Sequence, residues 1–178
     1  MNKISCYDDV VPIPLRQRIF NFCLNSMYSL GQDLADPSKA SYSSFVNPPY
    51  LHSTWSIEDL DKVQLIPYIE QCITKTPWFT GKKLNSIVVN LVRSTDIHYI
   101  HHHRTEHVVL YYVNLDWQDG WYGETIFYDE FKENNINFTS PYIPGRIILF
   151  DGNIPHAIRP QSVNGPKFRL SITLFFDE

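Results

Sequence analysis

A cluster of histidines is the part of this sequence best suited to chemistry. His101, His102 and His103 stand together, His107 follows closely, and His156 lies far downstream. A neutral imidazole binds iron, zinc or copper, and a strand end holds an imidazole in a fixed direction. The pattern predicts a mononuclear metal site. The alternative is a histidine-rich loop on the protein surface.

The second half of the chain has the pattern of a β-rich domain that could hold such histidines. Short runs of Val, Ile, Tyr, Phe and Thr between turn residues predict five strands. These are Leu84–Leu91, Val108–Asn114, Glu124–Tyr128, Arg146–Phe150 and Arg169–Phe176. This spacing is typical of a jelly roll, in which distant strands meet at one barrel mouth. The two separated histidine sites are therefore expected to come together.

The first half of the chain predicts two helical segments. Apolar residues at helical spacing indicate a helix over Leu15–Leu30, with Pro14 before it and Gly31 after it. A second helix is expected over Ser56–Thr74, where Ser56 begins an N-cap pattern. Pro67 falls inside this segment, so a kink or two shorter helices are expected.

The chain is expected to be one domain, mainly β with N-terminal helices. Residues 1–83 form the helical support and a loop, and residues 84–178 form the jelly-roll core. Gln32–Pro49 is rich in Ser, Pro, Asn and Asp and predicts a surface excursion, either a connector or a lid. That segment and Asp129–Pro141 are the expected substrate loops, although neither carries a recognisable recognition code.

Composition narrows the class of protein. The 178 residues are 43% hydrophobic and 19% charged with a net charge of −4, as in ordinary globular proteins. No Lys/Arg run provides the electrostatic footprint of a nucleic-acid-binding protein. The three cysteines form no CxxC pair or disulfide framework, which favours a reducing compartment. No apolar run indicates a membrane span or signal peptide, so we expect a cytoplasmic protein.

Five segments of the second half together carry a family resemblance. They are Leu110-Tyr-Tyr-Val-Asn-Leu-Asp-Trp117, Gly123-Glu-Thr-Ile-Phe127, Pro144-Gly-Arg-Ile-Ile-Leu-Phe-Asp151, Ile154-Pro-His-Ala-Ile-Arg-Pro160 and Arg169-Leu-Ser-Ile-Thr-Leu-Phe-Phe176. In order and spacing, this region resembles the iron(II)- and 2-oxoglutarate-dependent oxygenases of the prolyl-hydroxylase type, which include small bacterial and phage-encoded members.

The resemblance implies a double-stranded β-helix, a cupin-like jelly roll, with Fe(II) and 2-oxoglutarate as cofactors and ascorbate as a reductant. It implies hydroxylation of a C–H bond with dioxygen, coupled to oxidative decarboxylation of 2-oxoglutarate to succinate. The substrate would be peptidyl, an amino acid or another small molecule. Beyond the metal centre, no side chain is expected to be catalytic.

The resemblance also assigns roles to individual residues. His156 matches the distal iron-binding histidine. Arg169 matches the arginine that pairs with the distal carboxylate of 2-oxoglutarate, and Tyr112 matches a phenol that hydrogen-bonds the same carboxylate. Thr173 lies on the same strand face as Arg169 by alternation. Asn90 lies where the family contacts the inner carboxylate of the cofactor.

The sequence departs from the family at the proximal ligands. The family has His-x-Asp where this chain has His101-His102-His103, so that His103 stands in the position of the aspartate. His103 could bind the metal in an all-histidine site, or Glu106 could supply the carboxylate. A register shifted by one would make His102 the first ligand, but Arg104 would then occupy the third position, where it cannot bind metal.

Two other functions remain open at this point. One is a three-histidine dioxygenase that does not use 2-oxoglutarate, and the other is a non-catalytic metal- or ligand-binding jelly roll. His98, His102 and His107 are expected to face solvent or to lie behind the metal ligands.

Overall fold

The computed structural model describes residues 3–31, 50–96, 98–103, 106–129 and 135–177. Helices within these ranges are α1 (Ile13–Leu24), α2 (Ile57–Lys62) and α3 (Ile66–Thr74), followed by a 3-10 turn at Pro77–Phe79. The strands are β1 (Ile4–Tyr7), β2 (Ser29–Gly31), β3 (Tyr50–Trp55), β4 (Lys83–Val92), β5 (His107–Tyr112), β6 (Thr125–Tyr128), β7 (Ile136–Ser140), β8 (Ile147–Asp151), β9 (His156–Ile158) and β10 (Arg169–Asp177). The expected loop Gln32–Pro49 lies outside the described residues, as does Arg104.

The described strands form two antiparallel sheets. The larger sheet has the order β1-β8-β5-β10-β4-β3-β2, and the smaller has the order β7-β6-β9. Two sheets whose neighbouring strands are distant in sequence are the arrangement of a jelly roll. The fold class predicted from the sequence, mainly β with N-terminal helices, is confirmed.

The central strand β10 shows how the sequence separates the two faces of the larger sheet. Alternate residues Leu170, Ile172 and Leu174 belong to the core that the sheet shares with the helices. The intervening residues point to the opposite face, because successive side chains of a strand alternate. These are Arg169, Ser171, Thr173 and Phe175. This second face carries the polar residues.

A smaller apolar core lies between the two sheets. It joins Tyr112 of β5 and Phe150 of β8 with Phe127 of β6, and it includes Tyr142 from the loop before β8. Tyr112 thus faces the space between the sheets, whereas its neighbour Tyr111 packs on the helix side. The candidate site lies along this inner space.

Helix α1 ends earlier than the sequence predicts. The side-chain amide of Asn25 donates to the backbone carbonyl of Asn21 (2.7 Å), and the hydroxyl of Ser26 donates to the backbone carbonyl of Phe22 (3.0 Å). Polar side chains that bond to the last free carbonyls compete with helix continuation. Met27, which falls within the predicted helix but beyond the end of α1, is 91% exposed. The predicted boundary at Leu30 is therefore wrong, and β2 occupies the end of that segment.

The predicted division of the second helical segment is confirmed. Ser56 and Asp59 form a capping box at the start of α2, and Pro67 lies in the first turn of α3, where its missing N–H costs nothing. None of the described helices is long and apolar enough to cross a membrane.

Two other expectations differ from the structure. The N-terminal half contributes more than helical support, because β1, β2 and β3 all belong to the larger sheet. The segment Asp129–Pro141 is not entirely loop, since β7 pairs with β6 within it. Of these strands, β1, β2 and β7 are short edge strands, whose solvent-facing side leaves them without a strong apolar pattern.

Candidate metal centre

The structure brings His101, His103 and His156 together. One ring nitrogen from each lies within 4.8 Å of the other two. The ring centroids are 4.4 Å apart for His101 and His156, 5.1 Å for His103 and His156, and 5.2 Å for His101 and His103. Three imidazole nitrogens at this spacing can converge on one first-row transition metal, which imidazole binds well.

Backbone hydrogen bonds hold the two separated histidine sites against each other. The N–H of His101 donates to the carbonyl of His156 (3.0 Å), and the N–H of His156 donates back to that of His101 (2.9 Å). The N–H of His103 donates to the carbonyl of Gly152 (2.7 Å). Gly152 must be small here, because a Cβ would collide with the carbonyl oxygen of Glu106.

Hydrogen bonds determine which ring nitrogen is free to bind a metal, and burial determines whether a ring is protonated. Nδ1 of His101 and Nδ1 of His156 lie 3.0 Å and 2.9 Å from the carbonyls of Tyr99 and Ile154, which leaves each Nε2 as the free nitrogen. Burial holds the pKa of His156 well below its ordinary value. Burial, followed by repulsion from neighbouring histidines, lowers the pKa of His103 to about 3. The imidazoles of His103 and His156 are therefore neutral at pH 7, the form that binds metal.

Glu106 lies behind this triad. Its Oε2 is 3.9 Å from Nδ1 of His103, and it is not part of the group of converging ligand atoms. His102 is exposed, so the shifted register with His102 as first ligand receives no support from its position. His107, expected near solvent or behind the ligands, is instead 5% exposed and packs against Trp78 and Phe79.

Arg169 is a buried cation in the same inner space. The residue has no exposed surface, and its guanidinium donates to the carbonyl of Gly123 (2.8 Å) and to the hydroxyls of Thr125 (3.2 Å) and Ser171 (3.4 Å). All three acceptors are neutral. Within the described residues, no carboxylate lies in ion-pair range of Arg169. A buried charge is costly without a counter-ion, so this site is suited to an anionic ligand.

A strained turn directs one of those acceptors at the guanidinium. Tyr122 and Gly123 have φ values of +61° and +84°, and the indole of Trp117 donates to the carbonyl of Tyr122 (2.7 Å). A side chain at Gly123 would collide with the Trp117 ring. A left-handed conformation at a bulky residue such as Tyr122 is unfavourable and persists where the surroundings impose it. Here the turn fixes the carbonyl that orients Arg169.

Two stacked tyrosines line the Arg169 site. The rings of Tyr112 and Tyr142 are 4.3 Å apart and nearly parallel, and the guanidinium carbon of Arg169 lies 5.1 Å and 5.0 Å from their centroids. The hydroxyl of Tyr112 donates to Thr125 (2.7 Å). The hydroxyl of Tyr142 is held by Asn114 and by the carbonyl of Leu170. Tyr112 is thus placed beside Arg169, as the family resemblance implies.

Thr173 and Asn90 form a third polar group on this face. The side-chain amide of Asn90 donates to the hydroxyl of Thr173 (3.1 Å), and the two residues lie on the paired strands β4 and β10. Thr173 is two residues along β10 from Ser171, which contacts Arg169. All four cofactor residues that the resemblance implies therefore face the same inner space.

Two strands connect the histidine triad with the Arg169 site. On β10, the ring of Phe175 packs against the ring of His103, with 5.0 Å between their centroids. Arg169 is the first residue of this strand and lies on the same face as Phe175. On β6, Phe127 pairs with His156 and Thr125 contacts Arg169. Phe127 and Thr125 are two residues apart, about 7 Å along a strand.

Sequence reasoning missed several residues of the site. Thr125 and Ser171 both bond to Arg169, and alternation along the strands could have identified them once Arg169 was singled out. Tyr142 lies in a loop, and no sequence pattern indicates that its ring stacks on Tyr112.

The site residues fit both groups that the family resemblance implies. The donor set of three imidazoles suits Fe(II), and the buried guanidinium, which has no carboxylate partner among the described residues, suits the distal carboxylate of 2-oxoglutarate.

Comparison with known proteins agrees with this fold. No protein-family profile matches the sequence, and no curated protein matches it. A prolyl-4-hydroxylase from Pseudomonas putida is similar in structure with a TM-score of 0.70 at 15% identity, covering 100% of this chain and 94% of that one.

Two further solved structures are similar to the chain. One is a prolyl hydroxylase from Trichoplax adhaerens in complex with a peptide fragment of the hypoxia-inducible factor oxygen degradation domain, with a TM-score of 0.69 and 18% identity, covering 99% of this chain and 84% of that one. The other is the epimerase SnoN in complex with Fe3+, alpha-ketoglutarate and nogalamycin RO, with a TM-score of 0.69 and 11% identity, covering 99% and 79%. The chain therefore has the jelly-roll fold of prolyl hydroxylases and other iron- and 2-oxoglutarate-dependent oxygenases.

Proposed function

We propose that this protein is an Fe(II)- and 2-oxoglutarate-dependent dioxygenase whose iron is held by His101, His103 and His156. The observation that carries the proposal is the pairing of two features in one inner space. A triad of imidazoles lies at one end, and a fully buried Arg169 without a carboxylate partner among the described residues lies at the other. A metal alone would need only the triad.

The protein residues bind and orient rather than transfer protons. The three imidazoles hold the metal, and Arg169 anchors the distal carboxylate with Tyr112 and Thr173 beside it. When bound, the iron and 2-oxoglutarate would supply the oxidation by dioxygen that yields succinate, carbon dioxide and a hydroxylated product. The apolar walls that Phe127, Phe150 and Phe175 provide keep water from the reacting centre.

The substrate is the part of the proposal that the fold determines least. Two of the similar structures are prolyl hydroxylases, one of them with a bound peptide, whereas SnoN is an epimerase with a small-molecule ligand. One fold supports different reactions. We propose a C–H bond of a peptidyl, amino-acid or other small substrate, in a cytoplasmic protein.

Turnover of 2-oxoglutarate tests the proposal. Protein reconstituted with Fe(II) in the presence of ascorbate should convert 2-oxoglutarate to succinate, either with a substrate or slowly without one, and the His156→Ala variant should not. Absence of succinate from a protein shown to bind iron would refute the proposal.

A three-histidine dioxygenase that needs no 2-oxoglutarate is the second candidate, because among the described residues no carboxylate oxygen converges with the three ring nitrogens. In that case Arg169→Ala should leave oxygenase activity largely intact. If the protein is instead a non-catalytic metal- or ligand-binding jelly roll, the natural chain should show no turnover and His103→Asp should create it.

A further inference from the structure

His103 differs from the other two histidines of the triad in the group that lies behind its ring. Nδ1 of His101 and Nδ1 of His156 each face a backbone carbonyl, but Nδ1 of His103 lies 3.9 Å from Oε2 of Glu106. His103 is also the residue that stands where the resembling family has aspartate. The carboxylate missing from the triad is therefore present behind it.

The backbone fixes Glu106 on this side of His103. The N–H of Glu106 donates to the carbonyl of His103 (3.3 Å), and the N–H of Gly152 donates to the carbonyl of Glu106 (2.8 Å). The Glu106 side chain is 27% exposed and the His103 side chain 21%. Within the described residues, no lysine or arginine forms an ion pair with Glu106. The carboxylate is thus half-buried and faces the imidazole.

We propose that Glu106 is a positioning residue of the metal centre, accepting a hydrogen bond from Nδ1–H of His103 while Nε2 of His103 faces the metal. This inference rests on the proposed function. A small rotation of the carboxylate brings the 3.9 Å separation to the roughly 2.8 Å of a charge-assisted hydrogen bond. The histidine and the glutamate together then replace the aspartate of the family.

The physical reason lies in charge and orientation. Three neutral imidazoles leave a divalent ion with its full +2 charge, whereas a directly bound carboxylate would reduce it to +1. A carboxylate that accepts the second N–H of a metal-bound histidine fixes the ring orientation and makes the ring a stronger donor. The backbone carbonyls behind His101 and His156 orient those rings without adding a negative charge.

Metal titration tests the proposal in a double-mutant cycle. Dissociation constants for Co(II) are measured with the full chain carrying Glu106→Gln, His103→Asp, or both substitutions. Glu106→Gln alone should weaken binding roughly 10- to 100-fold. In the His103→Asp background, the same change should have little effect, because aspartate has no N–H to donate. Asp177→Asn is the control, since it removes a carboxylate close enough to raise the pKa of Glu106, and it should leave the Co(II) affinity unchanged.

A spectroscopic readout covers the case in which His103→Asp fails to fold or to bind metal. In the Co(II)-loaded protein, the exchangeable imidazole N–H protons give paramagnetically shifted proton NMR signals. Glu106→Gln should move or broaden the signal of one ring and leave unchanged the two rings that donate to Tyr99 and Ile154.

The outcomes separate the inference from the function on which it rests. Co(II) affinity and N–H signals that are identical in the natural chain and Glu106→Gln would overturn the inference alone. The inference would also be overturned if Glu106→Gln weakened Co(II) binding equally in the natural chain and in the His103→Asp background. Such a result would indicate only a long-range charge effect or a folding defect. A natural chain that binds no Co(II) or Fe(II) would overturn the proposed function and the inference together.

Discussion

Replacement of Arg169 by methionine removes the buried guanidinium and keeps an unbranched side chain in its place. The residue is fully buried, and each of its acceptors in the structure is neutral. If the distal carboxylate of 2-oxoglutarate binds there, Arg169→Met leaves that carboxylate buried and without a cation. The affinity for 2-oxoglutarate should therefore fall sharply.

The size of the effect follows from the burial. Truncating one partner of a buried, hydrogen-bonded charge pair costs about 2–5 kcal/mol. Since about 1.36 kcal/mol corresponds to a tenfold change, the dissociation constant should rise by about 30-fold to several thousand-fold. An exposed pair would lose at most about 1 kcal/mol, or roughly fivefold.

Calorimetric titration of 2-oxoglutarate into Mn(II)-loaded protein measures this change without turnover. Arg159→Met is the matched control, because Arg159 lies just after β9 but is 47% exposed and pairs with Glu124 and the Tyr122 ring. Its affinity should stay within about twofold of the natural chain. Equal affinities of Arg169→Met and the natural chain, with metal bound in both, would refute the assignment of the carboxylate to Arg169.

Three further outcomes are expected. The folded-state pKa of His103, about 3, lies below its ordinary value of 6.5, so the unfolded chain binds more protons between these pH values. The free energy of unfolding of the metal-free protein should then fall as pH decreases through that window, by up to about 1.4 kcal/mol per pH unit, and a His103→Gln variant should show a shallower slope in urea denaturation. Gly152→Ala should destabilise the fold by about 1–3 kcal/mol in the same assay and weaken metal binding, because its Cβ meets the carbonyl of Glu106. Tyr112→Phe keeps the stacked ring but loses the hydrogen bond to Thr125, so the KM for 2-oxoglutarate should rise by about 2- to 13-fold, equivalent to about 0.5–1.5 kcal/mol; an unchanged KM would place the phenol outside the cofactor site.

The β-rich half of the fold could be predicted from the sequence because its strands carry strong local patterns. Residues of β5, β8 and β10 are almost all buried, so their apolar and β-branched runs stand out. Strands at the sheet edges were not predicted. β1 and β7 are partly or largely exposed, and β9 has three residues, so none has a recognisable alternation.

The candidate metal ligands His101, His103 and His156 could be singled out because the family order points to these three positions and each of them is a histidine, although the family has aspartate where His103 stands. The side chains that pack around these histidines and around Arg169 could not be predicted from the sequence in this way. The stacking of Tyr142 on Tyr112 and the buried position of His107 depend on tertiary packing, which leaves no local signal. The position of Glu106 behind His103 depends on a turn held by Gly152, a contact between residues distant in sequence.

The most direct test of the central claim is a crystal structure of the protein with Mn(II) and 2-oxoglutarate, with the metal located by anomalous scattering. The proposal predicts one anomalous peak bound by ring nitrogens of His101, His103 and His156, with a carboxylate of 2-oxoglutarate on Arg169. A peak outside the triad, or one bound by Glu106 in place of His103, would contradict it.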